Sequence, residues 1–173
     1  MTAGDAPPPW HDDLQRYRAL CEALAVRRVP RRPPSLRPDG CLMEGRPLLN
    51  PVRVIATFDW PVQRIGPRYR GTQADGMPVR LALFRNAIGG IDHLVLGVHA
   101  EALVAALARR RVNGRRLVAD LAHTLAEGAD EAGLQRGLAL LLEQFRARGL
   151  VLGSVANDLA RAGSEGRMRR EDA

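Results

Sequence analysis

Residues Glu101–Gly153, EALVAALARRRVNGRRLVADLAHTLAEGADEAGLQRGLALLLEQFRARGLVLG, decide the fold. Leu103, Val104 and Leu107 recur at helical spacing and form the apolar stripe of a first helix, which is expected to end near Val112-Asn113-Gly114, where Asn or Gly takes the left-handed conformation. A second helix starts near Arg115, is lined by Leu117, Val118, Leu121 and Leu125, and stops at Gly128. Asp130 is placed to cap a third and longest helix, with a stripe of Leu134, Leu138, Leu141, Leu142 and Phe145. Gly133 and Gly137 lie one turn apart on it, each costing about 1 kcal/mol relative to alanine. Close approach of another backbone is the expected compensation. Gly149 ends the helix, and Leu150-Val151-Leu152 can pair as a short last strand.

Immediately upstream the periodicity changes to that of strands. Val79–Arg85 and Ile91–Val98 flank Asn86-Ala87-Ile88-Gly89-Gly90, two apolar runs around a loop whose glycines accept positive φ, which predicts a hairpin. Both runs are partly apolar on both faces and need cover, for which the following helices are the expected source. Before them, Val52, Val54, Ala56 and Phe58 alternate with Arg53, Ile55 and Thr57 in a half-buried strand after the Asn50-Pro51 turn. Residues 62–78 carry Gly and Pro at short intervals and read as a loop, with a short strand near Arg68–Arg70 as the alternative.

At the N-terminal end, Leu14, Tyr17, Leu20, Cys21 and Leu24 recur at steps of three and four, predicting an amphipathic helix over His11–Arg28 with Asp12 or Asp13 as its cap and Pro30 beyond its end. The segment VPRRPPSLRPDG has no periodicity and reads as an extended linker that does not pair. The expected organisation is therefore α+β: a disordered leader over 1–9, a helix and Arg/Pro-rich linker over 10–40, and a core over 41–155. In that core a small antiparallel sheet (41–99) precedes a three-helix, winged-helix-like unit (100–153), and a flexible tail covers 156–173 with a short helix to about Ala162.

Composition narrows the function classes. With 46% hydrophobic and only 4% aromatic residues in 173, the core must be aliphatic. The net charge of +7 comes entirely from arginine, all 26 basic residues being Arg. A bias this complete reflects base composition more simply than function. Cys21 and Cys41 have no ligand-spaced partners, so neither a disulfide framework nor a zinc site is expected. No run has the length and apolarity of a membrane span, and the start MTAGDAPPPWHDD lacks the basic-then-apolar pattern of a signal peptide, so the expected location is cytoplasmic.

No residues form a legible catalytic, cofactor or metal set. His93 and His99, six apart on one expected strand, would start roughly 20 Å apart, too far to share a metal or a proton. Gly89-Gly90 opens a strand and not a helix, so it is a turn and no phosphate loop. An enzyme whose site is scattered through the sequence is the remaining enzymatic alternative, and its first sign would be a pocket gathering Asp59, Asp92 and His93.

Three helices with the third leading through Gly-Leu into a strand follow the winged-helix pattern. In a DNA-reading version, Asp130 and Glu131 at the start of the third helix would face phosphates, and Gln135 and Arg136 do not cancel that repulsion. Arg16, Arg27, Arg28, Arg31, Arg32 and Arg37 form a basic patch able to track a phosphate backbone or an acidic protein. A solvated helix face and linker is the plainer account, because no aromatic stacking pair is interleaved.

The succession HLVLG, ALVAALA, NGRRLVADLAHTLAEG and DEAGLQRGLALLLEQFRARGLV, over about residues 93–151, resembles the PqqD-like peptide-recognition domains of peptide-modification pathways. The resemblance implies a non-enzymatic adaptor in which a leader peptide adds as a strand at the sheet edge and lies in a groove against the third helix. By position it carries to the strands Val79–Arg85 or Ile91–Val98, with Arg80, Arg85 and His93, and to Arg136, Leu140 and Glu143 on the third helix. The chain departs from that family in the length ahead of the matching part. The run VRLALFRNAIGGIDHLVLGVHAEAL is also similar to the early hairpin of GTP cyclohydrolase II enzymes, but it lacks their cysteine ligands, which removes zinc-dependent hydrolysis by that arrangement. The expected function is binding of a peptide or protein partner, with nucleic-acid binding as the alternative.

Overall fold

Cover for the hairpin comes from the helix at the other end of the sequence. In the computed structural model, which describes residues 7–66, 77–126 and 130–156, the expected amphipathic helix forms as α1 (His11–Val26). Its residues Leu14, Tyr17, Leu20, Cys21 and Leu24 pack with Val52, Ala56, Phe58, Leu81 and Leu83. All of those partners except Val52, which immediately precedes β3, belong to an antiparallel sheet of β3 (Arg53–Phe58), β4 (Val79–Arg85) and β5 (Ile91–Val95), in the order β3-β4-β5. The helices that follow were the expected cover, and for the face bearing Leu81 and Leu83 that expectation is corrected. The stripe on α1 and the alternation in β3 complement each other, since each element leaves one apolar face to bury.

The ends of α1 also differ from expectation. Its N-cap is Trp10, with no side-chain cap; Asp13 instead accepts a hydrogen bond from the Trp60 amide at 3.0 Å. The helix stops at Val26, short of Pro30. There the Arg85 guanidinium donates to the carbonyls of Leu24, at 2.7 Å, and Ala25. A cation at a helix C-terminus satisfies carbonyls that lack a helical donor and opposes the negative end of the macrodipole.

The hairpin is closed as its sequence predicts. Asn86 Oδ1 accepts from the amides of Ile88 and Gly90, and Gly89 takes φ 87°. The strand after it ends at Val95, earlier than the expected Val98, because Val98 begins a helix. His99 is thus helical, and the picture of His93 and His99 on one strand is corrected.

A second compact unit is built from the described residues of Pro30–Asn50 and Val98–Ala173, the first comprising those of Met1–Val29 and Pro51–Gly97. It contains the three expected helices, α2 (Val98–Arg109), α3 (Gly114–Leu125) and α4 (Glu131–Arg148), which pack on one another. It also contains a sheet of which the sequence revealed only the last strand: β1 (Leu36–Arg37), β2 (Arg46–Leu49) and β6 (Val151–Val155), in the order β1-β6-β2, antiparallel throughout. The reading of the Arg/Pro segment as a linker that does not pair is therefore corrected, since Leu36 pairs with Val155 and Arg37 with Ser154. Pro47 is tolerated in β2 because that strand lies at the sheet edge. The fold class is α+β, as expected.

Within this unit the caps of α4 form as predicted. Asp130 accepts from the Gly133 amide at 2.8 Å, and Gly149 ends the helix with φ 87°. Two other readings change. Asn113 does not end α2 in the left-handed conformation; with φ −67° it caps α3, accepting from the Arg116 amide. Gly133 admits no neighbouring backbone either. A Cβ there would lie 2.2 Å from Asp130 Oδ2, so the glycine makes room for the helix cap. The leader residues 1–6, the loop with the Arg68–Arg70 alternative (67–76), the Gly128 stop (127–129) and the tail 157–173 lie outside the described residues.

Candidate functional site: an apolar groove on α4

At Gly137 nothing lies within 4 Å of where a Cβ would stand. The missing side chain opens a groove of about 310 Å³ along α4, lined by Leu134, Leu138, Leu140 and Leu141, with Gln144 at one end and His99 contributed by α2. Leu140 is 67% exposed at the groove. The lining is apolar with a few polar groups, which suits an aliphatic or aromatic side chain of a partner. Gly137 gives helix stability away for this opening, since glycine is disfavoured in helix interiors by about 1 kcal/mol relative to alanine. Gly137→Ala is accordingly expected to raise the urea midpoint, by about 0.5–1 kcal/mol in stability.

Of the residues expected at the site on this helix, Leu140 lines the groove. Arg136 pairs with Asp130 at 3.8 Å, both being 73% exposed. Such exposed pairs contribute little to stability. Glu143 pairs with Arg146, whose guanidinium also donates to the Gly40 carbonyl at 3.1 Å.

The residues expected at the sheet edge separate. β4 is central, paired with β3 on one side and β5 on the other, so Val79–Arg85 offers no edge and that part of the expectation is corrected. Arg80 is an exposed residue of β4, opposite Thr57. Arg85 serves the C-terminus of α1, as described. His93 is half-buried on β5, which among the described strands pairs with β4.

The basic patch is distributed over both units. Arg16 is held by the Thr57 carbonyl at 3.0 Å and lies 5.3 Å from the centre of the Phe58 ring. Arg27 donates to the Arg53 carbonyl at 3.4 Å. Burial, with Arg27 nearby, pushes the Arg53 guanidinium below its ordinary range. Arg28, Arg31, Arg32 and Arg37 are exposed.

Beneath α1, burial pushes the Tyr17 phenol up to about 12, with smaller contributions from Cys21 and Asp92, and burial also pushes the Cys21 thiol up. A phenol held above its ordinary value contributes stability that is fully present below pH 10 and is lost as pH rises through about 12. A tyrosinate absorbance titration should show one of the chain's two tyrosines ionising near pH 12.

Among the described residues no group of three or more His, Cys, Asp or Glu is placed to hold a metal ion. The groove includes none of Asp59, Asp92 or His93. No described helix is long and apolar enough to cross a membrane. Comparison with models of known protein families finds no match, and comparison with curated proteins finds none.

Proposed function

We propose that this chain is a non-enzymatic binding module of the winged-helix, peptide-recognition kind, taking a peptide or protein segment in the α4 groove. The observation that carries the reading is the groove itself: an apolar lining opened at Gly137 beside the exposed Leu140. An apolar groove on a helix supplies side-chain pockets that select a partner segment. The resemblance of residues 93–151 to PqqD-like domains points the same way.

The test is selection of binders from a random linear-peptide library on the intact protein, followed by hydrogen exchange with a selected peptide. Protection is expected over 134–144. Gly137→Trp should fill the groove and weaken binding by about tenfold or more, as loss of a central anchor does. Because Gly137→Ala adds stability, weaker binding in the alanine variant cannot be ascribed to unfolding. Protection confined to the Arg-rich segment, with 134–144 unchanged, would reject the proposal.

The second reading, nucleic-acid binding through the arginines, has as its observation the exposure of Arg28, Arg31, Arg32 and Arg37. It requires affinity that falls steeply with salt, with a slope of roughly 0.9 per phosphate neutralised. Absence of a DNA gel shift at low salt removes it.

A further inference from the structure

The corner where α2 passes into α3 is strongly basic. Arg109, Arg110, Arg111, Arg115 and Arg116 crowd into it, and all five are exposed. Base composition explains why each cation is an arginine, but not why they gather at one turn. Among the described acids Asp120 alone pairs with them. Arg110 donates to its Oδ2 at 2.9 Å, and Arg116 Nε stands 3.9 Å from the same oxygen. One carboxylate oxygen between two guanidiniums occupies the place that a phosphate oxygen takes between arginines. The amides at the start of α3 are already used: Gly114 donates to the Gly45 carbonyl, Arg115 to that of Met43 and Arg116 to Asn113 Oδ1. An anion here is therefore held by side chains. Positive charge in the first turn opposes the helix macrodipole, so Arg115 and Arg116 do not serve the stability of α3.

The surroundings of the corner select among anionic partners. No large hydrophobic residue is exposed between Arg109 and Asp120. A protein partner needs an apolar anchor, whereas contacts to phosphates need none. No Phe, Tyr or Trp occurs from 98 to 144, so unpaired bases have no platform on which to stack. A duplex held at its backbone meets both conditions. The acidic start of α4 does not interfere, because His123 Nδ1 lies 3.4 Å from Glu131 Oε2 and so places that start by the far end of α3. From Gly114 to His123 the helix rises roughly 14 Å at 1.5 Å per residue, and exposed charges more than about 8 Å apart are largely screened in physiological salt.

We infer that the α2–α3 corner is a docking surface for the phosphate backbone of duplex nucleic acid, with its five arginines on the phosphates and Asp120 as the internal anion that a phosphate replaces. The inference is independent of the α4 groove. The test is fluorescence anisotropy of a labelled DNA duplex of mixed sequence, titrated with the intact protein over a series of salt concentrations. Affinity should fall linearly with salt on logarithmic axes, with a slope of about 0.9 per phosphate held. Arg111→Ala combined with Arg115→Ala should weaken binding about tenfold and lower the slope by about 2. Arg111→Gln with Arg115→Gln serves as a second pair if circular dichroism shows the alanine pair misfolded. Asp120→Asn should bind more tightly than wild type. Alanine at Arg28, Arg31, Arg32 and Arg37 together should leave affinity and slope unchanged, which separates the corner from the N-terminal arginines. Folded double variants with wild-type affinity and slope overturn the inference, as does the absence of duplex binding at low salt. Tighter binding of a single strand of the same length overturns the duplex, and sedimentation with phosphatidylserine vesicles without duplex binding assigns the corner to a membrane surface instead. Asp120→Asn that binds no more tightly overturns the place given to Asp120.

Discussion

Replacing Gly114 by alanine is expected to be among the most damaging single-methyl additions in the chain. Gly114 opens α3, and a Cβ there would stand 2.1 Å from the Leu42 carbonyl oxygen, 2.9 Å from its carbon and 3.2 Å from Met43 Cα. All three are backbone atoms, so no flexible side chain can give way. The two backbones are also tied together, Gly114 donating to the Gly45 carbonyl at 3.1 Å and Arg115 to the Met43 carbonyl at 3.0 Å. These bonds use the otherwise unpaired amides at the helix start, and Leu42 is wholly buried. The methyl must push the 42–45 segment away, break those bonds and open the core under Leu42. Overpacking of this kind costs about 1–3 kcal/mol, and the broken bonds place Gly114→Ala at about 3 kcal/mol or beyond. Gly137→Ala is the internal control: the same substitution in α4, into open space, with the opposite sign expected. Urea unfolding of the two variants checks both, and equal midpoints would refute the steric account.

That contrast also shows where sequence stops informing. Gly114, Gly133 and Gly137 look alike along the chain, yet one is crossed by a backbone, one leaves room for the Asp130 carboxylate and one opens a groove. What distinguishes them is a neighbour in space. Where the deciding interaction is local, the sequence was readable: Asp130 and Gly149 at the ends of α4, the Asn86–Gly90 turn, the stripe of α1 and the alternation of β3 all formed as expected. Where it is distant, it was not. Leu36–Arg37 is too short to show a period, and its pairing with β6 depends on Gly153 at φ 131°, where a side chain would meet the Arg37 carbonyl at 2.4 Å. The capping of α1 by Arg85 and the central place of β4 are likewise products of the ladder order. Of the groove, Leu140 was named through the resemblance to PqqD-like domains; His99 was not, because its apolar surroundings have the pattern of a strand, while the helix begins at Val98.

Phe58→Ala is expected to cost about 3–5 kcal/mol, the usual range for truncating a buried phenylalanine. Phe58 is 1% exposed at the end of β3, opposite Val79 in the ladder, and belongs to the cluster that joins α1 to its sheet. Tyr17 meets its ring edge-on, with centroids 6.0 Å apart and planes at 67°, and the Arg16 guanidinium lies 5.3 Å from its centre. Ring pairs in that geometry add about 0.5–1.5 kcal/mol beyond the area they bury, and the cation adds a smaller amount at a partly exposed position. Phe58→Leu separates the contributions: it restores most of the volume but neither ring contact, so it should recover much of the loss and leave a remainder close to the two aromatic contributions. Tyr17 supplies a local reading of the same event. Its phenol is held at about 12 chiefly by burial, so opening the space left by Phe58 should bring the tyrosinate titration down toward its ordinary value near 10. A lowered melting point with the Tyr17 titration unmoved would mean that α1 stays seated over an empty cavity, and the coupling of Phe58 to the seating of this helix would be wrong.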